Sequence, residues 1–245
     1  MESTAPTSHE RSAEITDNLR EVQAAVERSQ KVPSRLVAVS KYKPGSDIEA
    51  AYGLGQRHFG ENYVQELCEK AAALPTDIKW HFIGRLQSNK CKALAGIPNL
   101  WAVETIDSAA KACKLNDAWV NAGRQSQLNV FVQVNTSGEQ NKGGVERSDV
   151  ESVVQEIIGS CTGLCLKGLM TIGSIEGSQK RPNPDFLALV ALRDELKRSV
   201  GVDLELSMGM SDDFEHALEL GATSVRVGSK IFGARPAKEK CSAEN

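Results

Sequence analysis

Residues 36–55 read LVAVSKYKPGSDIEAAYGLG, and this stretch decides the fold. Leu36 to Ser40 is a short apolar run with the length of a buried strand. Lys41 closes it, Pro44-Gly45 turns the chain, and Ser46 followed by Glu49 has the spacing of a capping box. The helix so opened ends near Gly53 to Gly55. Strand, turn and helix in immediate succession make one β/α unit. Strand alternation places Val37, Val39 and Lys41 on one face and Leu36, Ala38 and Ser40 on the other.

The unit recurs along the chain. His58-Phe59-Gly60 precedes a helix over 62–73 that Asn62 would cap, and Trp80 to Ile83, closed by Gly84, precedes a helix around Ser88 to Ala95. Leu100 to Val103 leads to a helix beginning near Asp107. Leu128 to Val134, the clearest strand, leads through the polar loop 135–144 to a helix over 148–158. Leu166 to Ile172 comes before a helix after Pro184, Leu204 to Ser207 before a helix over 211–220, and Ser224 to Val227 runs into Gly228-Ser229. Strands alternating with helices imply a parallel sheet with helical crossovers. A doubly wound open sheet can be assembled from such units. Eight of them in 245 residues fit a closed (β/α)8 barrel of the TIM type better, since that fold needs about 250 residues. Upstream, Thr7 and Glu10 have capping-box spacing, and Ile15, Leu19, Val22 and Val26 share a helical face that Pro33 terminates. The expectation is a single α/β domain over 1–245, its core at about 8–236, with an extra N-terminal helix and polar tails at both ends.

Bulk composition narrows the function. A net charge of -3 and a pI of about 5.9 give no general attraction for nucleic acid or for an anionic membrane. Six cysteines without a CxxC pair, and four histidines scattered singly, offer no zinc-ligand spacing. Reduced thiols in a cytoplasmic protein are expected. The polar, acidic N-terminus is neither a secretory leader nor an Arg-rich transit peptide, and no apolar run approaches the roughly 18 residues of a membrane span.

Functional groups of a (β/α)8 barrel lie at the C-terminal ends of its strands. This selects Lys41, Glu61, Asn62, His81, Gly84, Asn135, Thr171, and the segments 207–211 and 226–229. The last two follow strands seven and eight, where phosphate sites of such barrels often lie. Small residues at helix starts there leave backbone N–H groups and serine hydroxyls for an anion. Taken singly, Ser211 reads first as an N-cap and Gly228 as a turn glycine, since such caps are common; two such loops side by side shift the reading toward a phosphate ligand. Lys41, closing an apolar strand, is costly to desolvate as an ammonium, which lowers its pKa, and a neutral amine attacks aldehydes. By position alone it can also project into water beside Lys43. Arg226, flanked by Val225 and Val227, either lines the barrel mouth or forms a structural ion pair.

A family resemblance gathers these residues. It is carried by Val39-Ser40-Lys41 with Pro44, FGENYVQE at 59–66, WHFIG at 80–84, LQSNK at 86–90, Gly168 to Met170, LSMGMSDD at 206–213, and Val225 to Gly228 through Phe232 to Arg235. In this order, over nearly the whole chain, they resemble the pyridoxal phosphate homeostasis protein family. The resemblance implies a barrel like the N-terminal domain of alanine racemase, with pyridoxal 5'-phosphate (PLP) held as a Schiff base on Lys41. Ser207, Gly228 and Ser229 would hold the phosphate with Ser211 beside them, Arg226 would face the pyridine nitrogen, and Asn62 would line the pocket. Arg85 departs from the small or uncharged residue expected between Gly84 and Leu86 and bears on the pocket entrance. An arginine at the pyridine nitrogen disfavours protonation there, which makes the ring a weak electron sink suited to storage and transfer.

The resemblance therefore implies a non-catalytic PLP carrier in vitamin B6 homeostasis, and a monomer is expected over a stable oligomer. It would store, buffer or deliver the cofactor, exchanging Lys41 for an incoming amine such as a lysine of a transiently met apo-enzyme. No nucleic acid or membrane partner is expected. The alternative is a PLP-dependent racemase-like enzyme. Racemases of this fold take a second base from a β-rich C-terminal domain, and the sequence ends about ten residues after Arg235. Tyr63 or His81 would then have to serve as the acid–base group. A third reading, a sugar-phosphate enzyme with Lys41 as an aldolase-type lysine, shares the fold but not the motifs.

Overall fold

The apolar runs form eight parallel strands. These are β1 (Arg35–Val39), β2 (His58–Glu61), β3 (Lys79–Phe82), β4 (Leu100–Ile106), β5 (Leu128–Gln133), β6 (Leu164–Met170), β7 (Glu205–Ser207) and β8 (Ser224–Val227). They pair in chain order, and β8 returns to β1 in the register Arg35 to Ser224 through Ala38 to Val227, closing the barrel. The computed structural model describes residues 8–139 and 143–234. Thr7, the first residue of the N-terminal capping box, lies outside them, as do Arg235 and the polar tails.

Around the barrel run α1 (Ser8–Ser29), α2 (Gly45–Gly53), α3 (Val64–Ala73), α4 (Cys91–Ala95), α5 (Ala109–Asn121), α6 (Val150–Ser160), α7 (Ile175–Ser178), α8 (Pro184–Ser199), α9 (Phe214–Glu219) and α10 (Ser229–Phe232). None of the described helices is long and apolar enough to cross a membrane. The five described cysteines are unbridged.

The core has two parts because each strand faces two ways. Ala38, Phe59, Val103, Val130, Val225 and Val227 point outward, into one continuous layer with Ile48, Leu67, Leu115, Val154, Leu189 and Ala217 of the helices. The inward side chains include the small apolar cluster Ala102, Phe131 and Met170. They also include the buried polar groups His81, Glu104, Ser207 and Arg226. Such groups persist inside a barrel only when they bond one another.

Several helix starts differ from the pattern reading. Ser46 does not cap α2, which begins at Gly45 after Pro44 without a side-chain cap. Helix α3 begins at Val64, and neither Asn62 nor the N-cap residue Tyr63 caps it through a side chain. A 3-10 turn over Arg147–Asp149 precedes α6. Helix α9 starts at Phe214, leaving Ser211 in the loop before it. Strand β4 runs to Ile106, beyond the expected end at Val103.

The two ends of the described chain are fastened together. Arg11 of α1 bonds both Asp47, at 2.8 Å, and the carbonyl of Phe232, at 2.7 Å. Asn18 donates to the carbonyl of Ile231 at 3.2 Å. Lys43, two residues past Lys41, donates to the carbonyls of Phe232 and Ala234 at 2.7 Å each. Burial, helped by the nearby Arg11 charge, pushes the Lys43 ammonium below its usual pKa.

Candidate functional site

A cavity of about 460 Å³ opens at the C-terminal mouth of the barrel. Its wall includes Lys41 and Val39 from the end of β1, Asn62 after β2, Ile83 after β3 and Met170 at the end of β6. The loop after β7 contributes Ser211, and β8 with the following turn contributes Arg226, Gly228 and Ser229. Six of the seven residues that the family resemblance assigns to the cofactor, all but Ser207, thus surround one space. Glu61, His81, Gly84, Asn135 and Thr171 are not on its wall.

The backbone on either side of Lys41 is pinned from outside the barrel. The Ser40 N–H donates to the Gly60 carbonyl at 3.0 Å, and the Lys43 N–H closes a tight turn onto the Ser40 carbonyl at 3.0 Å. Ser40 Oγ donates to Glu61 Oε1, which also receives Lys70 Nζ, both at 2.7 Å. Lys70 further reaches the Ser40 carbonyl and Glu66, and Glu66 accepts the Tyr42 N–H at 2.7 Å. Tyr42 takes a φ of 63°, which side chains with a β-carbon rarely adopt. These bonds hold that conformation and so aim Lys41 into the mouth. Burial raises the Glu61 carboxyl above its usual pKa, against the pull of Lys70 and Ser40.

The adjoining wall is formed by the loops after β7 and β8, with Gly228 packed against Val39 of β1. Gly209, at φ 92°, bends the loop after β7, and its carbonyl accepts the Arg226 N–H at 3.1 Å. Asp213 fixes the same loop by accepting the Met210 N–H at 2.7 Å. The Gly228 N–H donates to Ser211 Oγ at 3.2 Å, bringing the two loops together where α10 begins. In α10 the Ile231 and Phe232 N–H groups bond the Gly228 carbonyl, at 3.0 and 2.9 Å, so the earlier amides of Ser229 and Lys230 are the ones without a carbonyl in the helix. On the β2 side, Asn62 Oδ1 is buried with no hydrogen-bond partner. A polar atom left so on a cavity wall calls for a ligand donor.

Of the two roles open to Arg226, the structure shows the first, lining the mouth, and, among the described residues, links it to a carboxylate only through Ser207. Arg226 lines the cavity while being only 4% exposed, and it donates to Ser207 Oγ at 2.7 Å and to the Thr171 carbonyl at 2.8 Å. Burial lowers its pKa, opposed by Glu104 and Asp213.

Ser207 is the exception among the expected phosphate ligands. Its hydroxyl is fully buried, accepts from Arg226, donates to Glu104 Oε2 at 2.5 Å, and does not reach the cavity. With both charged neighbours bonded it has no capacity left for a phosphate. Glu104, which pattern reading missed, carries the other charge of this group. Its signal was available: a lone carboxylate in the run WAVETI mirrors the lone arginine in SVRV.

Comparison with known proteins agrees with this architecture. The family described as "Alanine racemase, N-terminal domain" matches residues 11–236. A pyridoxal phosphate homeostasis protein of Pongo abelii is 48% identical over 244 residues, covering 93% of this chain and 89% of that protein. One from Schizosaccharomyces pombe is 52% identical over 205 residues, 83% and 85% of the two chains. Among solved structures, PipY of Synechococcus elongatus PCC7942 with PLP bound has a TM-score of 0.76 at 31% identity, covering 89% of this chain and 100% of that one. Alanine racemase from Corynebacterium glutamicum shares the fold, with a TM-score of 0.72 at 15% identity over 93% of this chain and 63% of its own. The chain belongs to the alanine racemase N-terminal domain family and, within it, to the pyridoxal phosphate homeostasis proteins.

Proposed function

We propose that this chain binds PLP through Lys41 and acts in intracellular PLP homeostasis as a carrier that stores, buffers or delivers it, not as an amino-acid enzyme. One observation carries the reading: a single cavity brings together an amine, a buried arginine, an unpartnered amide oxygen and an anion cradle. That set fits the cofactor. Lys41 would meet the aldehyde, Gly228, Ser229 and Ser211 would hold the phosphate, Arg226 would face the ring nitrogen, and Asn62 would offer an acceptor to the ring hydroxyl. Relatives named for PLP homeostasis and the PLP-bound PipY support it.

PLP supplies an aldehyde that condenses reversibly with amines and a ring that draws electrons from the attached carbon. The chain's own groups favour the first property over the second. A guanidinium only donates hydrogen bonds, so Arg226 holds the ring nitrogen as an acceptor and keeps a proton off it. The pinned turn at Ser40 to Lys43 presents the Lys41 amine at the open mouth, where an incoming amine can replace it. The acid–base candidates for a racemase are committed elsewhere. His81 uses both ring nitrogens, on Glu104 and His58, and Tyr63 bonds Tyr42. On this reading the protein is a cytoplasmic monomer that meets apo-enzymes transiently.

The test is direct. Purified protein given PLP should gain a visible absorption band, and borohydride should fix the cofactor to Lys41. A protein that stays colourless under reconstitution rejects PLP binding. Transfer to an apo-enzyme faster than from free PLP supports delivery; equal rates leave storage and buffering. Rapid Lys41-dependent deuterium exchange at Cα of added amino acids would replace the carrier reading with the racemase one.

A further inference from the structure

The charge behind the cofactor cavity is not a single ion pair. Glu104 on β4 and Arg226 on β8 lie on opposite sides of the closed strand order, and Ser207 on β7 bridges them. Glu104 has a second oxygen, which bonds His81 Nδ1 of β3 at 2.5 Å. His81 Nε2 then meets His58 Nδ1 of β2 at 2.8 Å. His58 lines a second cavity, at the opposite mouth, with Arg35 and Glu205. A continuous hydrogen-bonded chain therefore runs through the barrel from one face to the other.

The proton positions follow from the chemistry of the partners. Arg226 can only donate, so Ser207 accepts from it and must spend its own proton on Glu104. Glu104 is held below the usual carboxylate range: burial opposes ionisation, and the bonds from His81 and Ser207 with the Arg226 charge outweigh it. An ionised carboxylate accepts only, so His81 donates through Nδ1. Burial lowers the His81 pKa against the pull of Glu104; with Nδ1 donating to the carboxylate, a neutral ring leaves Nε2 as the acceptor for His58 Nδ1. All these donors point toward Glu104. The only formal charges on the chain are Glu104 and Arg226, which cancel. Asp213 adds a weaker attraction to Arg226. At the far end Arg35 is balanced by Glu205 at 2.9 Å and lies 4.2 Å over the Trp101 ring, which packs on both imidazoles.

A guanidinium has five N–H groups. Ser207 and the Thr171 carbonyl take one each, on different terminal nitrogens, which fixes the plane of the group. The other donors remain for the cavity that Arg226 lines. We propose that Glu104 is a positioning residue: through Ser207 it locks Arg226 in the orientation that presents those donors to the cofactor ring, and the His81–His58 pair is its backing. The inference deepens the PLP-binding reading above and rests on it for the ligand, but not for the lock itself.

The two parts are tested separately. In protein without PLP, nitrogen NMR of the arginine side chains should show a resolved, slowly exchanging Arg226 guanidinium. Ser207→Ala, which keeps both charges, and Glu104→Gln, which keeps the size, should each convert it to a rapidly exchanging one. PLP titration of the same variants should show affinity about tenfold weaker, the lower end of what outer-shell partners contribute at other ligand sites. The absorption band of bound PLP should also shift, which a loss of fold stability alone would not cause. Unchanged Arg226 signals together with an unchanged band would overturn the proposal, even if both variants melt earlier. If Glu104→Gln fails to fold, Ser207→Ala decides by itself. If the parent does not bind PLP, the carrier reading falls while the NMR comparison still decides the lock.

Discussion

At Gly84 a β-carbon would sit 1.9 Å from the carbonyl oxygen of Asn62, so no other residue fits there unless Asn62 moves. Thr105 Oγ1 donates to the Gly84 carbonyl at 2.6 Å and prevents the loop from backing away. Gly84→Ala is therefore expected to cost about 1–3 kcal/mol, the range for overpacking, and to weaken PLP binding by displacing Asn62 Oδ1. Thermal denaturation and PLP titration check the two effects, and an unchanged affinity would detach Asn62 from the ligand. Lys70 offers a second test. Burial lifts the folded-state pKa of Glu61 above its ordinary value. The native state thus keeps a proton the unfolded chain has lost, and the group costs stability as pH rises through its folded pKa. Lys70→Met removes its main charge partner and lifts that pKa further. The expected loss is about 3 kcal/mol near pH 8, with a clearly smaller deficit near pH 5. Equal deficits in denaturant titrations at the two pH values would clear Glu61 of the effect.

Strands β4 and β8 show what an isolated element can and cannot declare. Each is apolar with one charge inside it, Glu104 in WAVETI and Arg226 in SVRV. Arg226 stands out because valines flank it closely. Glu104 looks like the end of a strand, since a carboxylate in an apolar run is tolerable only with a cation across the barrel axis. That partner is supplied by closure, not by neighbours in sequence. Helix starts mislead for a related reason. Asn62 and Ser211 are residue types that cap helices, yet the same short polar groups serve a ligand, and here they face the cavity. The imidazoles on β2 and β3 give this scale its own prediction. Burial, with the neighbouring His81 and Arg35, pulls His58 down to about 3, and His81 is lowered as well. Below about pH 6.5 the unfolded chain takes up protons that the native one refuses. Stability should fall as pH drops from there toward the folded values. His58→Asn should remove about one proton from that dependence, read from denaturation midpoints across pH; an unaltered slope would place the proton uptake elsewhere.

For the molecule as a whole, the eight strands are legible because a parallel strand buried on both sides is apolar throughout and is punctuated by glycine or proline. The short α7 is not, since the segment SIEGS has one large apolar residue and a glycine, too little to suggest a helix. A ligand that binds only the closed barrel should stabilise all of it. PLP at a hundredfold excess over its Kd is expected to add about 2.7 kcal/mol, a rise in Tm of roughly 5–10 °C for a chain of this size. Differential scanning calorimetry measures it, and no rise at saturating PLP would show that binding is not coupled to the fold. The latch between α1, Lys43 and α10 also imposes an order in time. On a translating ribosome Lys41 and Asn62 emerge well before Ser211, Gly228 and Ser229, and Arg11 and Lys43 find their carbonyl partners only after those. Through the span between Asn62 and Ser211 the nascent chain carries Lys41 without the two loops that stand beside it in the folded barrel. If the chain holds PLP as proposed, loading has to wait for closure, because the groups that would grip the cofactor meet only when β8 pairs with β1.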